Sequence, residues 1–349
     1  MRTSLKSLLC MSAGLLIVAG AADAKTAKLV PIIPFPGASS TSVFGIADDN
    51  NTIAGSYVSS DGLTHGFYGT LDGNYTSFDF GDSGFTQARG IDPSGTAITG
   101  FSNNDGVHCD FQEWEKTGSG NPKQIKKGKK TLAGIVQGLN SAGVFSGDHC
   151  EKDGVTVIGE TGQSGKWTAD VTTPFGGPYT GERGVNTHGD LAGFYVDSDT
   201  QLQVGTYIHN GTTNQVIYPD ANEVYTVLEG LNDDNVATGQ WQDSGGIVHS
   251  FSYNAKKSTF TEIDDPNAGS FTQAWGINSS GLIAVSSDAG AYIYCPATKE
   301  GKRDCPSGGM DIAVREIHVS PGQMLRYGAG KKGHAAPAKV VLPKGAALQ

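Results

Sequence analysis

Six positions of this 349-residue chain, each directly before a glycine, combine side chains that could recognise a ligand. They lie 45 to 48 residues apart and are Phe44, Arg89, Gln137, Arg183, Glu229 and Trp275. An arginine fork matches a carboxylate, and a tryptophan ring stacks on a sugar face. If the six positions meet, they form a ring for a carboxylated or sugar-like ligand. The alternative is that they form salt bridges with one another, for example Arg183 with Glu229.

A second set of varied positions follows about eleven to thirteen residues later in each repeat. Its aromatic members, Tyr57, Tyr195 and Trp241, are candidates for a ligand platform. The competing interpretation is that these rings pack between neighbouring units of the fold, because large aromatic side chains dominate protein cores.

The segments around these positions are copies of one pattern, which predicts the elements that must position them. The repeated glycines are Gly45, Gly90, Gly138, Gly184, Gly230 and Gly276. An apolar residue, an Asn or Asp, a short turn and a second apolar strand follow in most copies, so each copy predicts a β-hairpin. A threonine stands four residues before the glycine in five of the six copies.

Two further short strands follow each hairpin, as in 64–70 and 75–80 or 248–254 and 259–264. Four strands in about 46 residues are typical of one propeller blade. The sequence therefore predicts an all-β, six-bladed β-propeller, and 50 glycines among 349 residues agree with so many turns. The strand at 29–33 is expected to close the last blade, and the segment 311–319 is the competing candidate.

The pattern G-I-N-x-x-G-x-I-x-G followed by a His-x-Phe tripeptide resembles the bacterial extracellular HAF-type repeat family. The tripeptides are His65-Gly66-Phe67 and His249-Ser250-Phe251, with a broken copy at 108–111. The resemblance spans roughly 38–298 but lacks the histidine in the third, fourth and sixth copies. It implies export and a propeller-like architecture, and it brings no catalytic residues.

Histidines and cysteines offer several other chemistries. A repeated imidazole is expected to bond to the neighbouring strand and pack on a phenylalanine, and a ligand or acid–base role is the alternative. The dipeptides His108-Cys109 and His149-Cys150 suggest a disulfide, with a zinc or copper site or two free thiols as the alternatives. Four of the five cysteines remain after the predicted removal of residues 1–24, and an even number in an exported chain favours the pairs Cys109–Cys150 and Cys295–Cys305.

Cofactor motifs are missing from the sequence. It contains no G-x-S-x-G, H-E-x-x-H or phosphate-binding P-loop pattern, and no cofactor is predicted. The acidic turns at 48–51 and 232–235 resemble calcium loops, but their positions make them turn residues, with weak divalent-cation binding at the surface as the alternative. A basic insertion at 123–130 is expected to be a solvated loop or a docking patch for an anionic surface.

The net charge and the N-terminal sequence limit the possible binding partners and the cellular compartment. Residues 1–24 have the charged start, apolar middle and Ala-x-Ala end of a signal peptide, which predicts cleavage after Ala24 and a secreted or periplasmic protein. The propeller is assigned to 25–298, and 299–349 to a Cys-closed loop, a possible edge strand and a basic tail. A net charge of −10 disfavours nucleic acid, and no transmembrane anchor is predicted.

These observations favour a non-enzymatic binding scaffold for an extracellular or envelope glycan, a peptide or a partner protein, acting through the channel mouth. The alternatives are a polysaccharide lyase or glycoside hydrolase on the same fold, and a structural envelope protein without a small ligand. Evenly spaced copies favour the scaffold and the structural protein over the enzyme, because an enzyme usually breaks its repeats by an insertion at one site.

Overall fold

A computed structural model describes residues 26–82, 84–103, 108–220, 225–296 and 305–319. Within these ranges the chain consists of 28 strands and one 3₁₀ turn, His108–Asp110. The predicted signal peptide and most of the predicted basic tail lie outside the described residues. No helix in the part of the chain that the structure describes is long and apolar enough to span a membrane.

Most strands form six antiparallel units of four strands each. The first unit comprises β2 (Ser40–Ile46), β3 (Thr52–Val58), β4 (Thr64–Thr70) and β5 (Tyr75–Phe78). The second comprises β6 (Thr86–Ile91), β7 (Ala97–Ser102), β8 (Gln112–Thr117) and β9 (Lys123–Gln124). The third comprises β12 (Gly134–Leu139), β13 (Val144–Cys150), β14 (Val157–Gln163) and β15 (Lys166–Val171).

The remaining units continue the same order. The fourth comprises β16 (Tyr179–Val185), β17 (Leu191–Val196), β18 (Gln203–His209) and β19 (Thr212–Val216). The fifth comprises β20 (Thr226–Leu231), β21 (Val236–Gln242), β22 (Val248–Asn254) and β23 (Thr259–Ile263). The sixth comprises β24 (Thr272–Ile277), β25 (Ile283–Ser287), β26 (Gly290–Cys295) and the N-terminal β1 (Thr26–Pro31).

Hydrogen bonding groups these units into five sheets, because one parallel pair, Val157 with Tyr179, joins the third and fourth units. The short strands β10 (Lys126–Lys127) and β11 (Lys130–Thr131) of the basic insertion lie at the edge of that joint sheet. Lys127 in this insertion is already engaged, since its Nζ lies 3.1 Å from Asp170 and over the Trp167 ring.

Both candidate closing segments are used. β1 pairs with β26, with Leu29 opposite Tyr294, so the N-terminal strand completes the sixth unit as expected. The rival segment adds fifth strands instead: β27 (Met310–Ala313) pairs with the outer edge of β1, and β28 (Glu316–His318) pairs with β23. Two exposed sheet edges are thereby covered.

A hydrogen-bonded belt joins successive units and closes them into a propeller. The Nδ2 amide of Asn140, Asn186 and Asn232 donates in each case to the backbone carbonyl 46 residues further on, at 2.9 to 3.4 Å. Asn278 of the sixth unit donates to the carbonyl of Ala47 in the first, at 2.9 Å. Backbone N–H groups join the second unit to its neighbours, from Asp48 to the carbonyl of Pro93 at 2.8 Å and from Gly134 to that of Phe111 at 3.0 Å, so the units form a closed ring.

The repeated glycines have a steric role. None of the six has a φ in the left-handed region, so positive φ is not the reason for them. A Cβ on Gly90 would lie 2.1 Å from the carbonyl oxygen of Gln137, and one on Gly230 would lie 2.6 Å from that of Trp275. Glycine is required because the next unit's backbone approaches too closely for any side chain.

The repeated threonines anchor the loop that enters each unit. The Thr41 hydroxyl accepts the backbone N–H of Phe35 at 2.9 Å, and Thr86 accepts that of Phe80 at 3.2 Å. Thr226 and Thr272 accept equivalent bonds at 3.1 Å. The sequence shows that this threonine recurs, and the structure shows that its hydroxyl accepts a hydrogen bond from the entering loop.

Two disulfides are formed as predicted. Cys109, in the loop between β7 and β8, is bonded to Cys150 at the end of β13, with Cα atoms 5.5 Å apart. Cys295 is bonded to Cys305, with Cα atoms 6.0 Å apart, and ties β26 to the segment that leads into β27. The first bridge links two neighbouring units, and the second links the sixth unit to its added strand.

Candidate functional site

All six residues that precede the repeated glycines meet at the central axis of the propeller. They line one cavity together with the glycines and the apolar residues that follow them. Each of the six side chains is at most 7% exposed. The structure therefore brings together the predicted ring, but it buries the ring inside the channel and does not display it at an open mouth.

A β-bulge in every unit aims these side chains. In the first five units the strand register skips the residue before the glycine, for example between Val43 and Gly45 or between Ala88 and Gly90. In the sixth unit the skip covers two residues, between Ala274 and Ile277. A bulged residue turns its side chain out of the regular alternation, and here that direction is the channel. Spacing alone does not reveal this bulge.

Arg89 occupies a distinctive place in the ring. Its guanidinium carbon lies 4.2 Å from the ring centre of Phe44 and 4.5 Å from that of Trp275, and Nε donates to Gln87 at 2.9 Å. Burial lowers the pKa of Arg89 to about 9, while Glu229 opposes that shift. Within the described residues Nη1 has no hydrogen-bond partner, and neither has the indole nitrogen of Trp275.

Glu229 is held by amides. Gln137 donates to its Oε2 at 2.5 Å and Gln240 donates to its Oε1 at 2.8 Å. Burial raises the pKa of Glu229, and the charges of Arg183 and Arg89 oppose that shift.

Arg183 has a different carboxylate partner from the one considered in the sequence. Its Nη2 lies 3.2 Å from Asp148 and 3.3 Å from the hydroxyl of Tyr179. Burial disfavours its charge, but Asp148, Tyr179 and Glu229 outweigh burial and raise the pKa of Arg183. Asp148 is fully buried on β13 of the preceding unit, and sequence reasoning did not select it as a site residue.

The cavity inside the ring is narrow. Its volume is about 50 Å³, which is room for a few water molecules or one carboxylate group and too little for a sugar ring. Any larger ligand must leave most of its body outside the ring.

The second set of predicted positions packs against the loops that enter each unit. Tyr57 stacks on Phe35 with ring centres 3.7 Å apart, and Trp241 stacks on Tyr218 at 4.4 Å. Tyr195 is buried, and its ring centre lies 5.3 Å from that of Phe175. These contacts favour packing over a ligand platform, but each ring packs on the loop that enters its own unit and not between neighbouring units, as the alternative had it.

The histidine of the first unit stands in a Ser–His–Asp arrangement. His65 Nδ1 lies 2.9 Å from Asp79, and Nε2 lies 3.1 Å from the hydroxyl of Ser59. That hydroxyl, however, also donates to Asp61 within the same turn. Because its proton is directed to a carboxylate, Ser59 caps the turn and is not poised as a nucleophile.

The candidate zinc set of two cysteines and two histidines does not assemble. Both cysteines are oxidised to the disulfide, so no thiolate is available. His149 Nδ1 lies 2.9 Å from Glu160, an ion-pair distance without hydrogen-bond alignment. The side chain of His108 lies outside the described residues.

The acidic turns serve the contacts between units. Asp48 accepts the backbone N–H and hydroxyl of Ser279 at 2.8 and 2.6 Å, and Asp233 accepts the same pair of bonds from Thr187. They are turn residues, as expected, with an added role across the unit boundary. Weak binding of divalent cations there stays a prediction.

Sequence reasoning missed a group of fully buried carboxyls around the third unit, Glu113, Glu160 and Glu182. Burial raises the pKa of Glu113 well above its ordinary value, and Glu160 raises it further. Burial likewise raises the pKa of Glu182, to about 8. Alignment of the repeats contains the signal, because the residue at the place of Glu182 is apolar in every other unit: Val43, Ala88, Val136, Leu228 and Ala274.

Comparisons with known proteins give only distant similarities. No protein-family model matches the chain, and no curated protein does. Among solved structures, a six-bladed propeller lectin of Aleuria aurantia is 15% identical over 79% of this chain and 98% of its own, with a TM-score of 0.44. AofleA from Arthrobotrys oligospora is 11% identical over 85% and 94%, with a TM-score of 0.46. TolB from Acinetobacter baumannii is 12% identical over 73% and 66%, with a TM-score of 0.44. Nothing about the ligand of this chain follows from similarities of this size.

Proposed function

We propose that this protein is a non-enzymatic binding scaffold that recognises a carboxylated glycan through Arg89 in its central channel. The observation that carries the proposal is a buried arginine whose Nη1 is without a partner among the described residues. A buried donor of this kind costs about 1–3 kcal/mol when left unpaired, so a ligand acceptor at this atom has a stabilising effect.

The surroundings of Arg89 favour an anionic group. No carboxylate of the described residues lies within ion-pair distance of its guanidinium, whereas Arg183 is neutralised by Asp148. Burial disfavours the charged form of Arg89, Glu229 favours it, and the charge of Arg183 disfavours it. A ligand carboxylate would relieve this repulsion and also accept from the indole N–H of Trp275, which lacks a partner.

The cavity volume sets the size of the group that enters. About 50 Å³ admits the carboxylate of a terminal uronic acid, and the sugar ring remains outside the ring of side chains. The C-terminal carboxylate of a peptide has the same chemistry, so the binding assay includes it as a competitor.

Isothermal titration with an acidic oligosaccharide, oligogalacturonate, tests the proposal, with a neutral oligosaccharide of equal length for comparison. The wild-type chain should bind only the acidic one. Arg89→Gln should weaken binding at least about tenfold, because a charge-assisted hydrogen bond contributes about 1.5–3 kcal/mol. Arg315→Gln, which removes an arginine that is 60% exposed, is the matched control and should bind like the wild type.

Two results would overturn the proposal: equal affinity for the acidic and the neutral oligosaccharide, or unchanged binding in Arg89→Gln. A terminal-carboxylate peptide that binds more tightly than oligogalacturonate would assign the site to peptides. Oligosaccharide shortening with release of reducing ends or unsaturated products would instead indicate the lyase or hydrolase alternative.

The finer features belong to the same proposal. We infer six blades, one for each four-stranded unit, in a secreted or periplasmic protein of the HAF-type repeat class. The two disulfides support an oxidising compartment, because such bridges persist outside the cytosol. Mass spectrometry of protein recovered from culture supernatant or periplasm tests export, since removal of residues 1–24 leaves a defined N-terminus.

A further inference from the structure

The fifth unit contains a cluster of one imidazole and three carboxylates, remote from the central channel. His249 lies on β22, Glu262 lies on β23, Asp264 follows β23, and Asp243 lies in the turn before β22. One ligand atom from each of His249, Glu262 and Asp264 lies within 4.8 Å of the other two. All four side chains are partly exposed, between 23 and 33%.

The first unit provides an internal comparison, because it repeats the same frame. His65 pairs with Asp79 as His249 pairs with Asp264, through Nδ1 at 2.9 and 2.8 Å. Ser77 stands in the first unit where Glu262 stands in the fifth, since each faces the Phe of the His-x-Phe tripeptide. A histidine and one carboxylate are therefore enough to form this part of a unit.

The residue that opens the turn before the histidine strand also differs between the two units. Ser59 and Asp243 both donate their backbone N–H to the residue four positions later, and both face the Nε2 atom of the histidine. Ser59 and Ser77 of the first unit therefore correspond to Asp243 and Glu262 of the fifth. Asp243 and Glu262 make the fifth unit more acidic at the places closest to its imidazole. Glu262 also accepts from the Tyr218 hydroxyl at 3.2 Å, and Asp243 accepts the backbone N–H of Ile247 at 2.9 Å.

We propose that His249, Glu262 and Asp264 bind a divalent transition-metal ion of the zinc type, with Asp243 orienting the imidazole. Nitrogen and carboxylate oxygen are ligands that Zn²⁺ accepts at about 2.0–2.2 Å, which places tetrahedral ligands about 3.4 Å apart. The existing spacing has to close by little more than an ångström. Nδ1 faces the metal while Nε2 faces Asp243 at 3.6 Å, and a carboxylate on the second imidazole nitrogen is the usual partner of a metal-bound histidine.

Other charges around the cluster set its affinity. Arg315 Nη1 lies 3.7 Å from Glu262 and 2.9 Å from Asp220, so it competes weakly with a metal for Glu262. Burial opposes protonation of His249, but Asp264 and Asp243 raise its pKa.

Titration of the full-length, EDTA-treated protein with Zn²⁺ by calorimetry tests the proposal. His249→Asn should weaken the binding step at least about 100-fold, and Glu262→Gln should also weaken it strongly. Asp243→Asn should weaken it about 10- to 100-fold, as expected for an orienting residue. The matched control is His65→Asn in the first unit, which lacks the extra carboxylates and should leave the step unchanged.

A spectroscopic signal identifies the site independently of the thermogram. The Trp241 ring is stacked on His249 with centres 4.6 Å apart, so bound Co²⁺ should quench part of the tryptophan emission. Excess Zn²⁺ should restore that emission. Glu262→Gln keeps the size of the side chain, and its circular dichroism separates loss of metal from loss of fold.

The proposal is overturned if His249→Asn and Glu262→Gln both bind Zn²⁺ like the wild type. It is also overturned if His65→Asn causes the same loss as His249→Asn, because the binding would then be common to any exposed histidine. Loss confined to the variants of the fifth unit supports it.

Discussion

Replacing Glu182 by glutamine should stabilise the protein near neutral pH. This side chain is fully buried at the start of the fourth unit, and neither of its carboxylate oxygens has a hydrogen-bond partner among the described residues. Burial raises its pKa from 4.5 to about 8, and Asp148 contributes in the same direction, while Arg183 opposes both. The folded chain therefore holds a proton on Glu182 that the unfolded chain has released.

The magnitude follows from this difference in pKa. Stability falls as the pH rises wherever the folded state binds more protons, here between the unfolded pKa of 4.5 and the folded pKa of about 8. Each pKa unit corresponds to about 1.4 kcal/mol, and about two and a half units separate pH 7 from the unfolded value. The wild type should thus lose about 3 kcal/mol between pH 4.5 and pH 7 through Glu182 alone.

Urea unfolding of wild type and Glu182→Gln at pH 5, 6, 7 and 8 measures this effect. The stability difference should grow steadily in favour of the variant across that range, because glutamine does not titrate. Asp199→Asn, which changes an exposed carboxylate, is the control and should give a nearly constant difference. A gap between wild type and Glu182→Gln that is the same at pH 5 and pH 8 would refute the buried, protonated state of Glu182.

Three further substitutions test the frame. Gly230→Ala should destabilise the fold by about 1–3 kcal/mol in urea, since its Cβ would lie 2.6 Å from the carbonyl oxygen of Trp275, and an unchanged midpoint would show that the two units can separate. Asn232→Ala should cost about 1–3 kcal/mol, because the carbonyl of Asn278 loses its donor from the preceding unit, and stability equal to wild type would contradict the belt. Cys305→Ser should lower the thermal midpoint through loss of about 2–3 kcal/mol, with reductant having no further effect on this bridge. A Cys305→Ser variant with the thermal midpoint of the wild type would show that the second disulfide does not contribute to stability.

The sequence predicted correctly those features that depend on a single repeat or on the number of residues of one type. Copies about 46 residues long indicated four strands each, and the N-terminal segment was correctly expected to complete the last unit. The cysteine pairs were correct because the four cysteines after residue 24 leave few combinations. Local turn and strand preferences are short-range, so they can be recognised without knowing what lies opposite.

The candidate site could be located but not described. Spacing selected Arg89, Arg183 and Glu229, whereas the partner of Arg183 is Asp148, which lies in a different unit and was not selected. The histidine repeat was visible, yet the carboxylates that surround His249 come from two other segments, the turn before β22 and the end of β23. Charge pairing depends on distances across the fold, and those are absent from any single repeat.

The sequence by itself determined the repeating frame: the number and length of the copies, the glycines and threonines that recur, and the cysteines available for pairing. Only the tertiary structure decided what these residues do. The recurring glycines admit the next unit's backbone, and the bulge beside each turns one side chain into a channel of about 50 Å³. The physical reason is that closing the ring brings residues some 46 positions apart into contact, and that contact sets their burial, their partners and their charge.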